Sequence, residues 1–323
     1  MVGPPDDFEG ADAWHSAKYN RSMRLNLCWQ LRSRALELGG RTLIMGVVNV
    51  TPDSFSDGGN FLEPHSAIAH ALRLLDEGAD ILDIGGESTR PGARVQPDDF
   101  SEKAVVTEAE ELRRVMPVID GILKERPDTV VSIDTYKSGV ARRAINAGAE
   151  IVNDVSALQW DAAMAKTCAA LQCGVVLMHS RGRPSEWRKQ PPEADIAAVV
   201  KHDLANRAQI ALDSGIQRGR IALDPGFGFG KNYEENYPLL AGLERLQRLG
   251  FPILAGTSRK SFIGRTVGQR RSGEDAAADD RLYGSLAAMV ASIVHGAHIV
   301  RVHDVRPAVE AAAIADAVLA AGT

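Results

Sequence analysis

The chain has few cysteines, few aromatics, no excess of basic charge and no long apolar run. Its three cysteines, Cys28, Cys168 and Cys173, are odd in number and none stand at C-x-x-C spacing. Neither a disulfide framework nor a cysteine zinc site is therefore expected, only reduced thiols in the core or near the surface. Aromatic residues make up 5% while glycines number 30, which suits many short strand-to-helix connections better than a β-sandwich. With a net charge of −5 and no Lys/Arg block, the sequence offers no footprint for nucleic acid. No stretch reaches the roughly 18 apolar residues that a spanning helix needs. Residues 1–10 carry Asp6, Asp7 and Glu9 and no apolar run, so no secretory leader is expected there. The expectation is a cytoplasmic protein without membrane or nucleic-acid partners.

What is present is the balance of a soluble globular protein, with 45% hydrophobic and 24% charged residues. Residues 1–24 are polar and rich in Pro, Gly and Asp, and are expected to be a disordered extension. Residues 25–323 are read as one domain. At its start Leu25, Leu27, Trp29 and Leu31 alternate with polar residues, Ser33-Arg34 interrupts, and residues 35–38 resume, which predicts a β-hairpin. Short aliphatic runs then recur at 43–48, 81–84, 130–133, 150–152, 175–178, 221–223, 252–255 and 299–302. Such runs are expected of strands buried on both faces.

Helical stripes separate them. Residues 64–77 open with Pro and stop at Gly78, and a second stripe runs from Leu112 to Leu123. Ser138 is read as the N-cap of a third helix ending near Gly148. Others are predicted over about 160–172, 193–214, 237–248, 281–296 and 307–320. Residues 268–280 are polar and are read as a loop. Eight strand–helix units of roughly 35 residues suit an α/β (β/α)8 TIM barrel preceded by the hairpin, with an open doubly wound sheet as the alternative.

Polar side chains gather at the ends of these runs: Asn49, Asp83 with Glu87, Asp134, Asn153 with Asp154, His179, Asp224, Ser258-Arg259-Lys260, and Arg301 with His303 and Asp304. In a parallel barrel all these ends open on one face, so the groups converge on one mouth. Asp134, Asn153 and Asp224 suit a flat heterocycle with amide and amino edges. Arg90, Lys260, Arg301 and His303 suit an anion such as a phosphate. Other motifs fail. The Gly226–Lys231 stretch ends like a phosphate-binding loop, but Pro225 stands where its first Gly belongs and Asn232 replaces Ser/Thr. His295 and His298 are expected to serve packing or solvent rather than a metal.

With those residues in view, the chain resembles the dihydropteroate synthases from Leu43 nearly to its end. Two signatures carry the likeness: Ile44-Met-Gly-Val-Val-Asn-Val-Thr-Pro-Asp-Ser-Phe-Ser-Asp-Gly-Gly59 and Gly78-Ala-Asp-Ile-Leu-Asp-Ile-Gly-Gly-Glu-Ser-Thr-Arg-Pro-Gly92. Further matches are Ser132-Ile-Asp-Thr135, Ile151-Val-Asn-Asp154, Leu223-Asp-Pro-Gly-Phe-Gly-Phe-Gly-Lys231, Gly256-Thr-Ser-Arg-Lys-Ser261 and Arg301-Val-His-Asp304. The family's ordinary Met is replaced at two places, by Ser180 and Trp187.

The resemblance implies condensation of a dihydropterin diphosphate with p-aminobenzoate to dihydropteroate and diphosphate, an SN1-like step of folate biosynthesis. It implies that Asp134, Asn153, Asp224 and Lys260 hold the pterin, with Arg301 stacking over it, and that Asp134, Lys260, Arg301 and His303 are catalytic. It assigns Asn49, Thr89, Arg90, Arg301 and His303 to the diphosphate, with Asn49 also meeting Mg2+. Phe55, Thr89, Arg90, Pro91, Phe229 and Ser261 would shape the p-aminobenzoate pocket, which sulfonamides would contest. Loops 51–59 and 88–92 would close over the second substrate, and the protein would be a homodimer. Two alternatives stay open at this point: a pterin-binding paralogue without synthase activity, and a methyltetrahydrofolate-binding module for a corrinoid methyltransferase.

Overall fold

The computed structural model describes residues 24–50, 64–88, 106–271 and 273–322. The hairpin comes first. Strand β1 (Leu27–Gln30) pairs antiparallel with β2 (Ala35–Leu38) in the register Leu27↔Leu38 to Gln30↔Ala35.

The main sheet has eight parallel strands: β3 (Leu43–Asn49), β4 (Ile81–Gly85), β5 (Val130–Asp134), β6 (Ile151–Asp154), β7 (Gly174–Met178), β8 (Ile221–Asp224), β9 (Leu254–Ala255) and β10 (Ile299–Val302). Their order is β8-β7-β6-β5-β4-β3-β10-β9. A bridge between Leu223 and Ile253 joins the two ends, with the Leu223 N–H donating to the Pro252 carbonyl at 2.8 Å. That contact closes the ring and decides for the barrel over the open sheet. Strand β9 is shorter than the run 252–255: Pro252 has no N–H to give to a ladder, and the Ile253 N–H goes to His298 Nδ1 at 3.1 Å.

Helices cover the outside: α1 (Pro64–Asp76), α2 (Glu108–Glu125), α3 (Ser138–Asn146), α4 (Met164–Leu171), α5 (Ile196–Asp213), α6 (Asn236–Ala241), α7 (Glu244–Gln247), α8 (Ser261–Arg271), α9 (Leu282–Val294) and α10 (Val305–Ala321). Their ends follow local chemistry. Thr107 caps α2 by accepting the Glu110 N–H at 3.2 Å, and three glutamates fill the first turn where the helix dipole favours them.

Three expectations need correction. Ser138 is the first residue of α3 rather than its cap, because Asp161 accepts the Ser138 N–H at 2.7 Å and replaces a capping hydroxyl. The single helix read over 237–248 is two short ones, broken at Gly242 and Leu243. The polar run 268–280 is not all loop: α8 extends through Arg271, and residues 278–281 form a 3-10 turn.

The barrel interior explains where the site lies. Trp29, Leu31 and Leu38 of the hairpin pack against Met45, Ile81, Ile151, Val176, Ala222, Leu254 and Ile299, plugging the N-terminal end of the barrel. Gly174 makes room for this plug, since a Cβ there would lie 2.6 Å from Leu31 Cδ2. Side chains on one strand face recur every second residue. The inward positions two residues beyond Ile81, Val130, Ile151 and Ile299 are Asp83, Ser132, Asn153 and Arg301. The interior therefore turns from apolar to polar within one layer, toward the C-terminal mouth.

Candidate active site

Two connected hollows open at this mouth, a cleft of about 350 Å3 and a deeper pocket of about 40 Å3, both lined by Asp134, Phe229, Gly256, Lys260 and Arg301. Asn153 and Asp224 line the deeper one, while Asn49, Ser258, Ser261 and His303 line the outer one.

Acidic and amide groups form the floor. Register places Asp134 of β5 beside Asn153 of β6 and Gly85 of β4. Arg301 reaches across from β10, donating through Nη2 to Asp134 Oδ2 at 2.8 Å and through Nε to Asp83 Oδ2 at 2.6 Å. Asn153 Nδ2 donates to the same Asp83 oxygen at 3.0 Å. Burial pushes Asp134 up to about 7 against the pull of Arg301, and Asp83 adds to the push. Burial likewise raises Asp224 to about 6 against the Gly226 N–H that its Oδ1 accepts at 2.7 Å.

Cations line the upper wall. Lys260 holds its Nζ 4.0 Å from the Phe229 ring centroid, a cation–π distance. His303, expected among the cations, is neutral: burial lowers it to about 3, and Arg301, Arg259 and Lys260 oppose its protonation. Its Nδ1 lies 3.1 Å from Ser258 Oγ, so it offers the site a hydrogen bond rather than a charge. Arg259 is engaged elsewhere, with Nε and Nη2 on Asp304 at 3.0 and 2.7 Å.

The loop after β8 carries Phe229 into the cleft. Gly226 has φ +65°, and a Cβ there would meet the His179 carbonyl oxygen at 2.0 Å, so only glycine fits. Lys231, whose phosphate-loop reading fails on spacing, ties this loop from inside. Its Nζ lies 2.8 Å from the Gly226 oxygen, 3.1 Å from the Phe229 oxygen and 2.8 Å from His179 Nδ1. Burial brings His179 down to about 4, so its Nδ1 accepts from Lys231 while Nε2 donates to Asp203 at 3.2 Å. Trp187 meets Phe229 edge to face with centroids 4.9 Å apart, and its Nε1 donates to Ser180 Oγ at 3.1 Å. The two positions that depart from the family pattern thus bond to each other.

Beside the mouth, Lys137 joins two buried carboxylates, Glu87 after β4 and Glu111 on α2, the latter at 2.5 Å. Tyr136 donates to Glu87 at 3.2 Å. Burial pushes Glu87 up against the attraction of Lys137.

The structure thus brings Asn49, Asp134, Asn153, Asp224, Phe229, Lys260, Ser261, Arg301 and His303 to one cleft. Phe55, Thr89, Arg90 and Pro91 lie outside the described residues. Sequence reasoning noticed Asp83 but gave it no partner. A charged residue in the middle of a buried strand was the available signal. Trp187 stood out only as a departure from the family pattern; its place at the cleft was not readable, because a turn in a long connection carries it in. Cys168 and Cys173 are buried and Cys28 is exposed, all free thiols. His298 is wholly buried and accepts the Ile253 N–H at 3.1 Å, a packing role.

The chain matches the family described as pterin binding enzyme over residues 45–303. It is 42% identical over 291 residues to the dihydropteroate synthase of Clostridium beijerinckii, covering 90% of this chain and 99% of that one. It superposes on Xanthomonas albilineans dihydropteroate synthase with 4-aminobenzoic acid at TM-score 0.80 and 43% identity, covering 92% of this chain and 99% of that one. Against the Yersinia pestis dihydropteroate synthase in complex with a sulfonamide drug the TM-score is 0.80 at 38% identity, with coverages of 91% and 100%.

Proposed function

The chain belongs to the pterin-binding enzyme family, among the dihydropteroate synthases, and from this premise we propose that it joins a dihydropterin diphosphate to p-aminobenzoate. The observation that carries the reading is one cleft with an acceptor-rich floor of Asp134, Asn153 and Asp224 beneath the cations Lys260 and Arg301. A pterin edge supplies N–H donors to such a floor, and an anionic leaving group faces the cations.

In this reading Asp134 and Asp224 orient the ring, and Arg301 and Lys260 meet charge as it develops on the departing diphosphate. The C–O bond to diphosphate breaks first, leaving a methylene cation delocalised into the pterin. The p-aminobenzoate nitrogen, seated near Phe229 and Ser261, then forms the C–N bond and loses a proton. His303, being neutral, donates a hydrogen bond to the diphosphate. By the family likeness Thr89 and Arg90 complete the diphosphate site, and Phe55 and Pro91 the p-aminobenzoate pocket.

Among the described residues no group of three or more His, Cys, Asp or Glu side chains is placed to hold a metal ion. Mg2+ needs no such cage, since it keeps several waters and takes one or two protein oxygens with substrate phosphates. The Asn49 amide oxygen, at the cleft edge, is a hard donor of that kind. Bound there, Mg2+ would neutralise diphosphate charge.

Among the described residues no helix is long and apolar enough to cross a membrane, and a cytoplasmic location accords with this. By the family likeness the protein would be a homodimer, and Ile314 and Val318, exposed one turn apart on α10, are apolar surface a second copy could cover.

The deciding experiment supplies dihydropterin diphosphate, p-aminobenzoate and Mg2+ and follows dihydropteroate and diphosphate together. Both products should appear, a chelator should stop them, and a sulfonamide should compete with p-aminobenzoate. Tight pterin binding without either product would overturn the synthase reading in favour of a non-condensing paralogue.

A further inference from the structure

Resting on that reading, we infer that Asp83, buried beneath the cleft, is a positioning residue that fixes which end of the Asn153 amide the substrate meets. Asp83 lies on β4 with no exposed surface, in the first polar layer above the hairpin plug. Its Oδ2 accepts from Arg301 Nε at 2.6 Å and from Asn153 Nδ2 at 3.0 Å.

A carboxylate paired with a guanidinium can only accept hydrogen bonds. It therefore turns the amide nitrogen of Asn153 downward. The amide oxygen, Oδ1, is left buried and without a partner among the described residues, on a side chain that lines the deeper pocket. The opposite orientation would set an amide oxygen against the carboxylate and present N–H groups to the ligand.

Through this one contact the floor becomes an acceptor at Asn153 as well as at Asp134 and Asp224. Such a floor suits a ring edge of N–H groups and penalises an edge of carbonyls, because an unmatched buried acceptor costs its full desolvation. Asp83 Oδ1 and Ser132 Oγ in the same layer are also without a partner among the described residues. A purely structural carboxylate at this depth would carry a fuller set of donors.

The test is calorimetric binding of 6-hydroxymethylpterin to the full chain and its variants, each checked by thermal melting. Asp83→Asn lets the amide at 153 turn and should weaken binding by about tenfold to a hundredfold. The exchange of Asp83→Asn with Asn153→Asp keeps the charge and the atom count and returns an acceptor to the pocket. It should bind within about threefold of wild type. Wild-type affinity in Asp83→Asn, or an exchange variant no better than Asp83→Asn, overturns the inference.

If Asp83→Asn fails to fold, the wild-type Asn153 side-chain NH2 carries the test by NMR: bonded to Asp83, its protons should keep their shifts when pterin binds. Protons that shift strongly on binding, as N–H groups meeting the ligand would, overturn the inference too. A folded wild-type chain that binds no pterin instead overturns the functional reading on which the inference rests.

Discussion

Arg301 donates to Asp134 at 2.8 Å with the same guanidinium that it commits to the buried Asp83 at 2.6 Å. One cation thus serves two carboxylates, with Asp224 beside them in the same floor. Burial, with Asp83 adding to it, accounts for the tendency of Asp134 to keep its proton in the ligand-free protein and makes the site sensitive to pH.

Asp134 is raised by burial to about 7, so the folded state holds this proton more tightly than the unfolded chain does. The associated stability is complete below the ordinary carboxylate range near about 4 and declines as pH rises through about 7. Asp134→Asn fixes the uncharged form and should flatten that decline. The slope that remains should come from Asp224 and Asp154, both raised to about 6. Thermal midpoints of both proteins from pH 5 to 8 check this, and parallel curves would refute it.

Lys137 is the cation between two buried carboxylates beside the mouth. Removing it as Lys137→Met leaves Glu87 and Glu111 buried together without their cation. A broken buried ion pair costs about 3–5 kcal/mol, and the loss should shrink at low pH as Glu87, raised by burial, takes up a proton. Urea unfolding of the variant at pH 5 and pH 8 measures it. A pH-independent loss would mean that the carboxylates are not the cause.

Lys260→Ala separates chemistry from stability. Lys260 lies on the cleft wall above Phe229, so its charge acts on the ligand more than on the core. Turnover should fall by about a hundredfold or more, the scale expected when a preorganised electrostatic partner is lost. The melting temperature should move little. A variant with wild-type turnover would remove Lys260 from the catalytic set.

The barrel was legible in the sequence because its strands are short aliphatic runs and its helices carry clean stripes, as at Leu112 to Leu123. The site was legible as a rim because Asn49, Asp134, Asp224 and Lys260 each follow such a run. What could not be read were contacts made across the barrel. Asp83 meets Arg301, 218 residues away in sequence, and Lys231 ties a loop by its own carbonyls and His179. The cap at Ser138 was misread for the same reason, since the group that replaces it is Asp161 on another connection. The naming of the activity came from ordered motifs; spacing alone led only to a heterocycle and an anion.

The hairpin offers the converse separation, a large loss of stability with the chemistry intact. Trp29 is wholly buried against the barrel's N-terminal end, and its Nε1 donates to the Arg220 carbonyl at 2.9 Å. Trp29→Ala removes that bond and opens a cavity beneath Met45, Ile81 and Ile151, neighbours in the same apolar cluster. Aromatic-to-alanine changes in cores cost about 3–5 kcal/mol, so the denaturant midpoint should fall clearly. The cluster lies at the end of the barrel opposite the cleft, and the polar layer of Asp83 and Asn153 stands between them. Below its new melting temperature the variant should therefore keep near wild-type kcat/KM per folded molecule. Stopped assays at 15 °C and 25 °C against the folded fraction test this. A drop in kcat/KM larger than the unfolded fraction explains would show that the plug also sets the geometry of the floor.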